Sequence, residues 1–247
     1  MRVDQEVLTV LSRASIEGNA LTLVGQLDRK IYERTNKVLE AAGGKWNRKA
    51  KAHVFDGSAA DTIEQIILTG EITVPQDFGY FPTPAPIVAR LLGIADIKPG
   101  MLALEPSAGQ GNIANQVAGI AEVDCVELLP KNVAALRAAG LAREVVEGDF
   151  LTIAPAPIYD RVVMNPPFGK QADIKHVLHA LRFLKPDGLL VSVMAAGVLF
   201  RDNRLTTEFR GLISARGGEI EECPEGAFRE AGTMVRTVIV TIPGAAT

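Results

Sequence analysis

The sequence predicts an α/β fold in two parts: a small basic α+β unit over residues 1–77, then a doubly wound sheet domain over residues 78–247. Three observations carry this prediction. From residue 86 onward, short apolar segments of strand length alternate with amphipathic helical segments. The last two strand segments have no helix between them, which predicts an antiparallel hairpin at one edge of the sheet. Pro75, Pro82, Pro84 and Pro86 crowd one stretch between the two parts, which predicts an extended linker.

In the first part, residues 1–20 show weak periodicity and read as an arm or a short helix. Residues 21–24 read as a short strand. Residues 28–42 read as a helix, with Ile31, Val38, Leu39 and Ala42 on one stripe and Gly43-Gly44 as the stop. Trp46 and residues 53–55 read as strand positions around the polar turn 47–51, and residues 59–69 as a second helix. In the second part, strands are expected at 101–105, 123–127, 144–147, 161–165, 189–195, 219–223 and 236–242. Helices are expected at 86–95, 111–120, 130–139, 171–185 and 203–216.

Composition narrows the function classes. Apolar residues at 47% and charged residues at 22% describe an ordinary globular chain. The longest apolar run, 189–200, falls far short of the roughly 20 residues that span a bilayer, and the N-terminus has no signal-peptide core. A cytoplasmic protein with no membrane partner is expected. Cys125 and Cys223 lack any CxxC spacing and show no zinc pattern with His53, His176 and His179, so no metal and two buried thiols are expected. The net charge of −3 conceals a basic segment. Residues 29–51 hold eight basic side chains against Glu33 and Glu40, a local excess of six.

The chemistry begins at residues 102–113, LALEPSAGQGNI. A strand ends at Glu105, a Gly-rich turn follows, and a helix is expected from near Gly111, as in a nucleotide-binding first loop. The glycines are not spaced as GxGxxG, and Glu105 would repel a pyrophosphate. An acid here suits a cofactor with positive charge and an α-amino group, such as S-adenosylmethionine (AdoMet). The next strand ends at Glu127, placed to accept hydrogen bonds from ribose hydroxyls. The third leads to Asp149 and Phe150, placed to meet an adenine amine and ring. Three acids at three successive strand ends would converge where open α/β sheets bind ligands.

The fourth strand runs into Asn165-Pro166-Pro167-Phe168. Two prolines stiffen the backbone and remove two N–H donors. The Asn165 amide oxygen and the Pro166 carbonyl then suit both hydrogens of a planar –NH2 group, which would favour a pyramidal, nucleophilic nitrogen. Phe168 would stack on the base carrying it.

On these motifs, residues 80–241 resemble the γ-order amino-methyltransferases, above all the N6-adenine DNA methyltransferases. Phe81-Pro82-Thr83-Pro84 is similar to the N-terminal cofactor motif that precedes the Gly-rich loop in this group. Residues 104–111 are similar to the AdoMet loop, and NPPF is a form of the catalytic motif. The resemblance implies a seven-stranded Rossmann-like AdoMet-dependent sheet, mostly parallel with an antiparallel edge hairpin. It implies AdoMet contacts from Phe81, Thr83, Glu105, Pro106, Ser107, Ala108, Gly109, Gly111, Glu127, Leu128, Asp149, Phe150 and Asn165, with Asn165 to Phe168 catalytic. It also implies a target base flipped out of duplex DNA and backed by an aromatic of the late hairpin, for which Phe228 is the counterpart.

The chain departs from the family in one respect. Only 79 residues follow Phe168, too few for the long target-recognition domain of sequence-specific members. Recognition is therefore expected to be weak or delegated to residues 21–74, where Arg48, Lys49 and Lys51 beside Trp46 suit phosphate contact and stacking. The small size and the segment GGKWNRKAKAHVF resemble methyltransferases of phages and mobile elements. NPPF also occurs in RNA methyltransferases acting on guanine N2 or adenine N6, and a related NPPY form methylates a glutamine amide in release factors. A homodimer would enlarge the surface available to DNA.

Overall fold

The structure is a computed structural model, described here for residues 2–72 and 81–245. The first elements are α1 (Gln5–Ser12), β1 (Ser15–Glu17), β2 (Ala20–Thr22), α2 (Arg29–Ala41), β3 (Lys45–Asn47), β4 (Ala52–Val54) and α3 (Ala59–Thr69). Then come α4 (Ala85–Ala95), β5 (Leu102–Glu105), α5 (Ala114–Val117), β6 (Glu122–Glu127), α6 (Pro130–Ala139), β7 (Glu144–Glu147), β8 (Tyr159–Met164) and α7 (Ala172–Ala180). The chain continues with β9 (Leu184–Ala195), α8 (Gly197–Phe200), α9 (Arg204–Ala215), β10 (Glu219–Glu222) and β11 (Thr237–Pro243). Among the described residues no helix is long and apolar enough to cross a membrane.

These elements form two compact units, one from Met1–Asp77 with Ala196–Glu208, the other from Phe78–Ala195 with Phe209–Thr247. The first holds a four-stranded antiparallel sheet in the order β1-β2-β4-β3. Its helices are capped by short polar side chains: Asp4 accepts the Val7 N–H, Asp28 the Lys30 N–H and Ser58 the Asp61 N–H. Leu8, Leu11, Leu21, Leu39, Phe55, Ile63 and Ile66 fill its core. Gly44 lies so close to Phe55 that a Cβ there would sit 2.7 Å from the ring. The unit is discontinuous in sequence. Residues 196–208 belong to it because Phe200 packs on its core and Arg201 donates to Glu64 at 2.9 Å in a largely buried ion pair.

The second unit is a seven-stranded sheet in the order β10-β11-β9-β8-β5-β6-β7. Strands β5 to β9 run parallel, while β11 is antiparallel to both β9 and β10. The predicted α/β class and the antiparallel edge hairpin are thus present. Connectivity reverses between β5 and β8, so the carboxyl ends of these two strands flank the position where open α/β sheets bind ligands.

Several expected boundaries shift. Residues 2–20 form a true helix and a hairpin strand, because Val7, Leu8 and Leu11 repeat at helical spacing behind the Asp4 cap. The helix expected at 111–120 shrinks to α5, since Gly111 sits at φ +90, outside helical space. A Cβ on Gly111 would also meet the Leu136 side chain at 2.9 Å. The helix expected at 171–185 ends at Ala180, and β9 begins by Leu184, which pairs with Tyr159. Pro186 explains this: it disfavours helix at Lys185 and can give no helical N–H. Cys125 is buried as expected, but Cys223, at the end of the edge strand β10, is only half-buried. The proline-rich linker lies outside the described residues from 75 to 80.

Candidate active site at the carboxyl ends of the parallel strands

The site is assembled by hydrogen bonds among three loops. After β5, Glu105 is buried and one of its carboxylate oxygens accepts the Ala114 N–H at 2.7 Å, capping α5 from within. The Gly-rich turn is tied to β6 twice. Ala108 donates to the Val126 carbonyl at 3.0 Å, and Gly109 donates to Glu127 at 2.7 Å. The other Glu127 oxygen accepts the Leu129 N–H at 2.8 Å and a longer contact from the Asn132 amide at 3.4 Å. Glu127 therefore braces the loop as well as facing the strand ends. Its own carbonyl accepts the Gly148 N–H at 3.0 Å, which brings the third strand's loop alongside.

At the end of β8, Asn165 is oriented by the preceding Phe81–Pro84 segment. Its amide nitrogen donates to the Phe81 carbonyl at 3.2 Å and to the Thr83 hydroxyl at 3.1 Å. A carbonyl can only accept, so the nitrogen must face Phe81 and the amide oxygen must point elsewhere. That oxygen is buried and has no hydrogen-bond partner among the described residues. Asn112 locks the same segment from the Gly-rich loop, donating to the Thr83 carbonyl at 2.9 Å.

Phe81, Pro82, Thr83, Glu105, Ser107, Ala108, Asn112 and Asn165 thus line one open cleft. Six of these eight are sequence-predicted site residues; Asn112 and Pro82 are additions. Only the position of Asn112 inside the Gly-rich loop hinted at its role. Pro106 and Gly111 are buried within the same loop. Leu128, 61% exposed, and Asp149, exposed, stand at the ends of the neighbouring strands. Asp149 caps its own 3-10 turn through the Leu151 N–H at 3.0 Å.

Two aromatic expectations are corrected. Phe150 is 3% exposed and packs against His179 and Phe183 at ring-centroid distances of 4.9 and 5.1 Å, so it belongs to the core under α7. Its apolar ring follows the 3-10 turn inward. Phe168 is 2% exposed and meets Phe228 edge to face, with centroids 6.4 Å apart. Both residues were expected to face a target base, but Phe168 and Phe228 are each buried, so neither ring is open to a base in this structure. Arg48, Lys49 and Lys51 lie in the first unit, on the turn between β3 and β4.

Burial pushes the Glu105 carboxyl well above its usual range, with the Glu127 charge adding to the effect and the Ala114 N–H opposing it. The unfolded chain ionises near 4.5, whereas the folded chain keeps the proton to higher pH. Below that value the group contributes nothing to stability; as pH rises, ionisation favours the unfolded state until the folded pKa is passed. Glu105→Gln, neutral and still able to accept from Ala114, should therefore gain in Tm relative to the parent as pH rises from about 4.5 to about 7.5. A constant difference in Tm across that range would mean that burial does not raise the Glu105 pKa.

No protein-family model matches the sequence, and no curated protein is recognisably related to it. The fold, by contrast, has close counterparts among solved structures. The methyltransferase subunit of a type I restriction-modification system from Streptococcus thermophilus aligns with 68% of this chain and 45% of its own, at 21% identity and a TM-score of 0.61. The M protein of the type I restriction enzyme EcoKI aligns with 95% of this chain and 56% of its own, at 16% identity and a TM-score of 0.56. The 23S rRNA methyltransferase ErmE aligns with 68% and 71%, at 22% identity and a TM-score of 0.51. The chain thus spans less than half the length of the first of these proteins. At such identities the likeness establishes the fold: this is the Rossmann-like fold of methyltransferases. The resemblance to enzymes of phages and mobile elements has no matching family behind it.

Proposed function

We propose that this chain transfers a methyl group from AdoMet to the N6 amine of adenine in DNA. The observation that carries this reading is the Asn165 amide oxygen, buried and without a partner among the described residues at the end of β8 while its nitrogen is anchored on Phe81 and Thr83. A buried acceptor without a donor costs about 1–3 kcal/mol, which a substrate N–H would relieve.

The surrounding residues fit the cofactor. Ser107 and Ala108 border the cleft, Glu127 and Leu128 end the adjacent strand, and Asp149 follows the next. When bound, AdoMet supplies an electrophilic methyl group on a sulfonium. The chain's part is to hold the amine. Asn165 Oδ1 accepts one N–H and the Pro166 carbonyl suits the other, and neither Pro166 nor Pro167 brings a backbone N–H to compete. Two accepted hydrogen bonds concentrate electron density on nitrogen and hold it for in-line attack. The methylated ammonium then sheds a proton to water, so no strong base is required.

DNA adenine is favoured by the type I modification subunits among the fold neighbours, one of which aligns with nearly the whole chain. The test is incubation with labelled AdoMet and, separately, duplex DNA, single-stranded DNA, ribosomal RNA and protein extract, followed by digestion and identification of the product. N6-methyladenine from DNA is expected. Label confined to RNA or to a glutamine side chain would assign the enzyme to the alternative substrates and reject DNA.

A further inference from the structure

We infer that the β3–β4 hairpin is a docking surface for single-stranded nucleic acid, with Trp46 as the platform on which an unpaired base stacks. This deepens the proposed function by naming where the polymer is held, and it rests on that reading only for the choice of nucleic acid as partner.

Trp46 leaves 50% of its surface in solvent on β3, an edge strand of the small sheet. A large apolar ring on an exposed edge invites self-association unless it has a use. It is held in place from behind: Trp46 pairs in register with His53, and the two rings meet at an interplanar angle of 60° with centroids 5.1 Å apart. His53 itself is buried, so the pair presents one exposed indole on a fixed support.

The adjoining turn is equally well defined. Asn47 Oδ1 accepts the N–H groups of Lys49 at 2.9 Å and Ala50 at 3.1 Å, and Lys51 takes a left-handed conformation at φ +52. Arg48, Lys49 and Lys51 project from this turn, all exposed and without an ion pair among the described residues. Of the basic residues of α2, Arg29 pairs with Glu33 and Arg34 with Asp4 and Glu6, while Lys30 and Lys37 make no ion pair among the described residues. The local positive excess therefore survives folding at the hairpin, where three uncompensated cations sit beside one open aromatic face.

That combination selects the partner. Uncompensated cations suit phosphates, and releasing their counterions makes binding salt-dependent. In a duplex, the base faces are stacked against each other and only edges are offered; an open ring platform suits a base already unpaired. An acidic peptide would satisfy the cations but give the indole no stacking partner.

Trp46 is the only tryptophan in the chain, so its fluorescence reports on this surface alone. The probe is an oligothymidylate of about 16 nucleotides, within the usual span of such sites. Thymine has no exocyclic amine, so the probe cannot act as a methyl acceptor. Titration into the full chain should quench Trp46. Trp46→Ala should weaken binding, read by anisotropy of a labelled probe, by about tenfold or more, and Trp46→Phe should recover most of the loss. Replacing Arg48 and Lys49 by alanine, with Lys51→Gly to respect its backbone, should lower the log–log salt slope by about 2.

An unquenched Trp46 at saturation, an unchanged salt slope, or quenching by duplex as strong as by the single strand would each overturn the inference. The wild-type titration decides even if a variant folds poorly. Loss of quenching alongside intact methylation of adenine-containing DNA would reject the hairpin and spare the proposed reaction. Quenching with no methyl transfer to any polymer would do the reverse.

Discussion

Asn165→Ala is expected to lower kcat for methyl transfer by about 10²–10³-fold, the usual cost of removing one group that stabilises developing charge. The side chain is held by two hydrogen bonds that tie the Phe81–Pro84 segment to β8 and turn Oδ1 toward the cleft. KM for the nucleic acid should change little, because one hydrogen bond is a small part of polymer binding. Asn165→Asp separates acceptance from anchoring. It keeps an acceptor toward the substrate but sets a carboxylate oxygen against the Phe81 carbonyl, so it should also lose most activity. Single-turnover rates with cofactor binding measured alongside would read both variants. Full activity in Asn165→Ala would remove this residue, and with it the proposed site, from the reaction.

The second large effect is on stability. Glu127→Gln should lower Tm by roughly 4–8 °C, corresponding to about 2 kcal/mol for a chain of this size. Both carboxylate oxygens accept backbone N–H groups, one from Gly109 and one from Leu129. A glutamine must turn its NH2 toward one of those donors, leaving a buried N–H without a partner. Since Gly109 lies in the loop that borders the cleft, AdoMet affinity should fall together with Tm. Calorimetric scans with and without AdoMet would measure both. A variant with unchanged Tm would mean that Glu127 does not brace the loop.

The residues that met their expectations are those whose signals are local. The apolar stripe and the Gly43-Gly44 stop placed α2, and both α2 and α3 begin within a residue of the expected place. Strand ends at Glu105, Glu127 and Glu147 were legible because parallel strands are short apolar runs with polar stops. What was not legible depended on partners distant in sequence. Phe150 and Phe168 looked like ligand-facing rings beside their motifs, yet His179, Phe183 and Phe228 bury them, and nothing in the tetrapeptide or tripeptide reveals those neighbours. Glu127 was read as a ribose acceptor, and its bracing bond from Gly109 spans 18 residues. Asn112 carried no type or spacing that separated it from any other loop residue.

The return of Ala196–Glu208 to the first unit bears on how such a chain can be rearranged. A unit drawn from one end of a chain can be exchanged by fusion at a single junction. Here the N-terminal unit takes its Arg201 partner for Glu64, and the packing of Phe200, from a segment threaded between β9 and the rest of α9. Grafting residues 1–77 onto another protein would strand Glu64 and expose core, so recombination that keeps the unit stable must carry both stretches together.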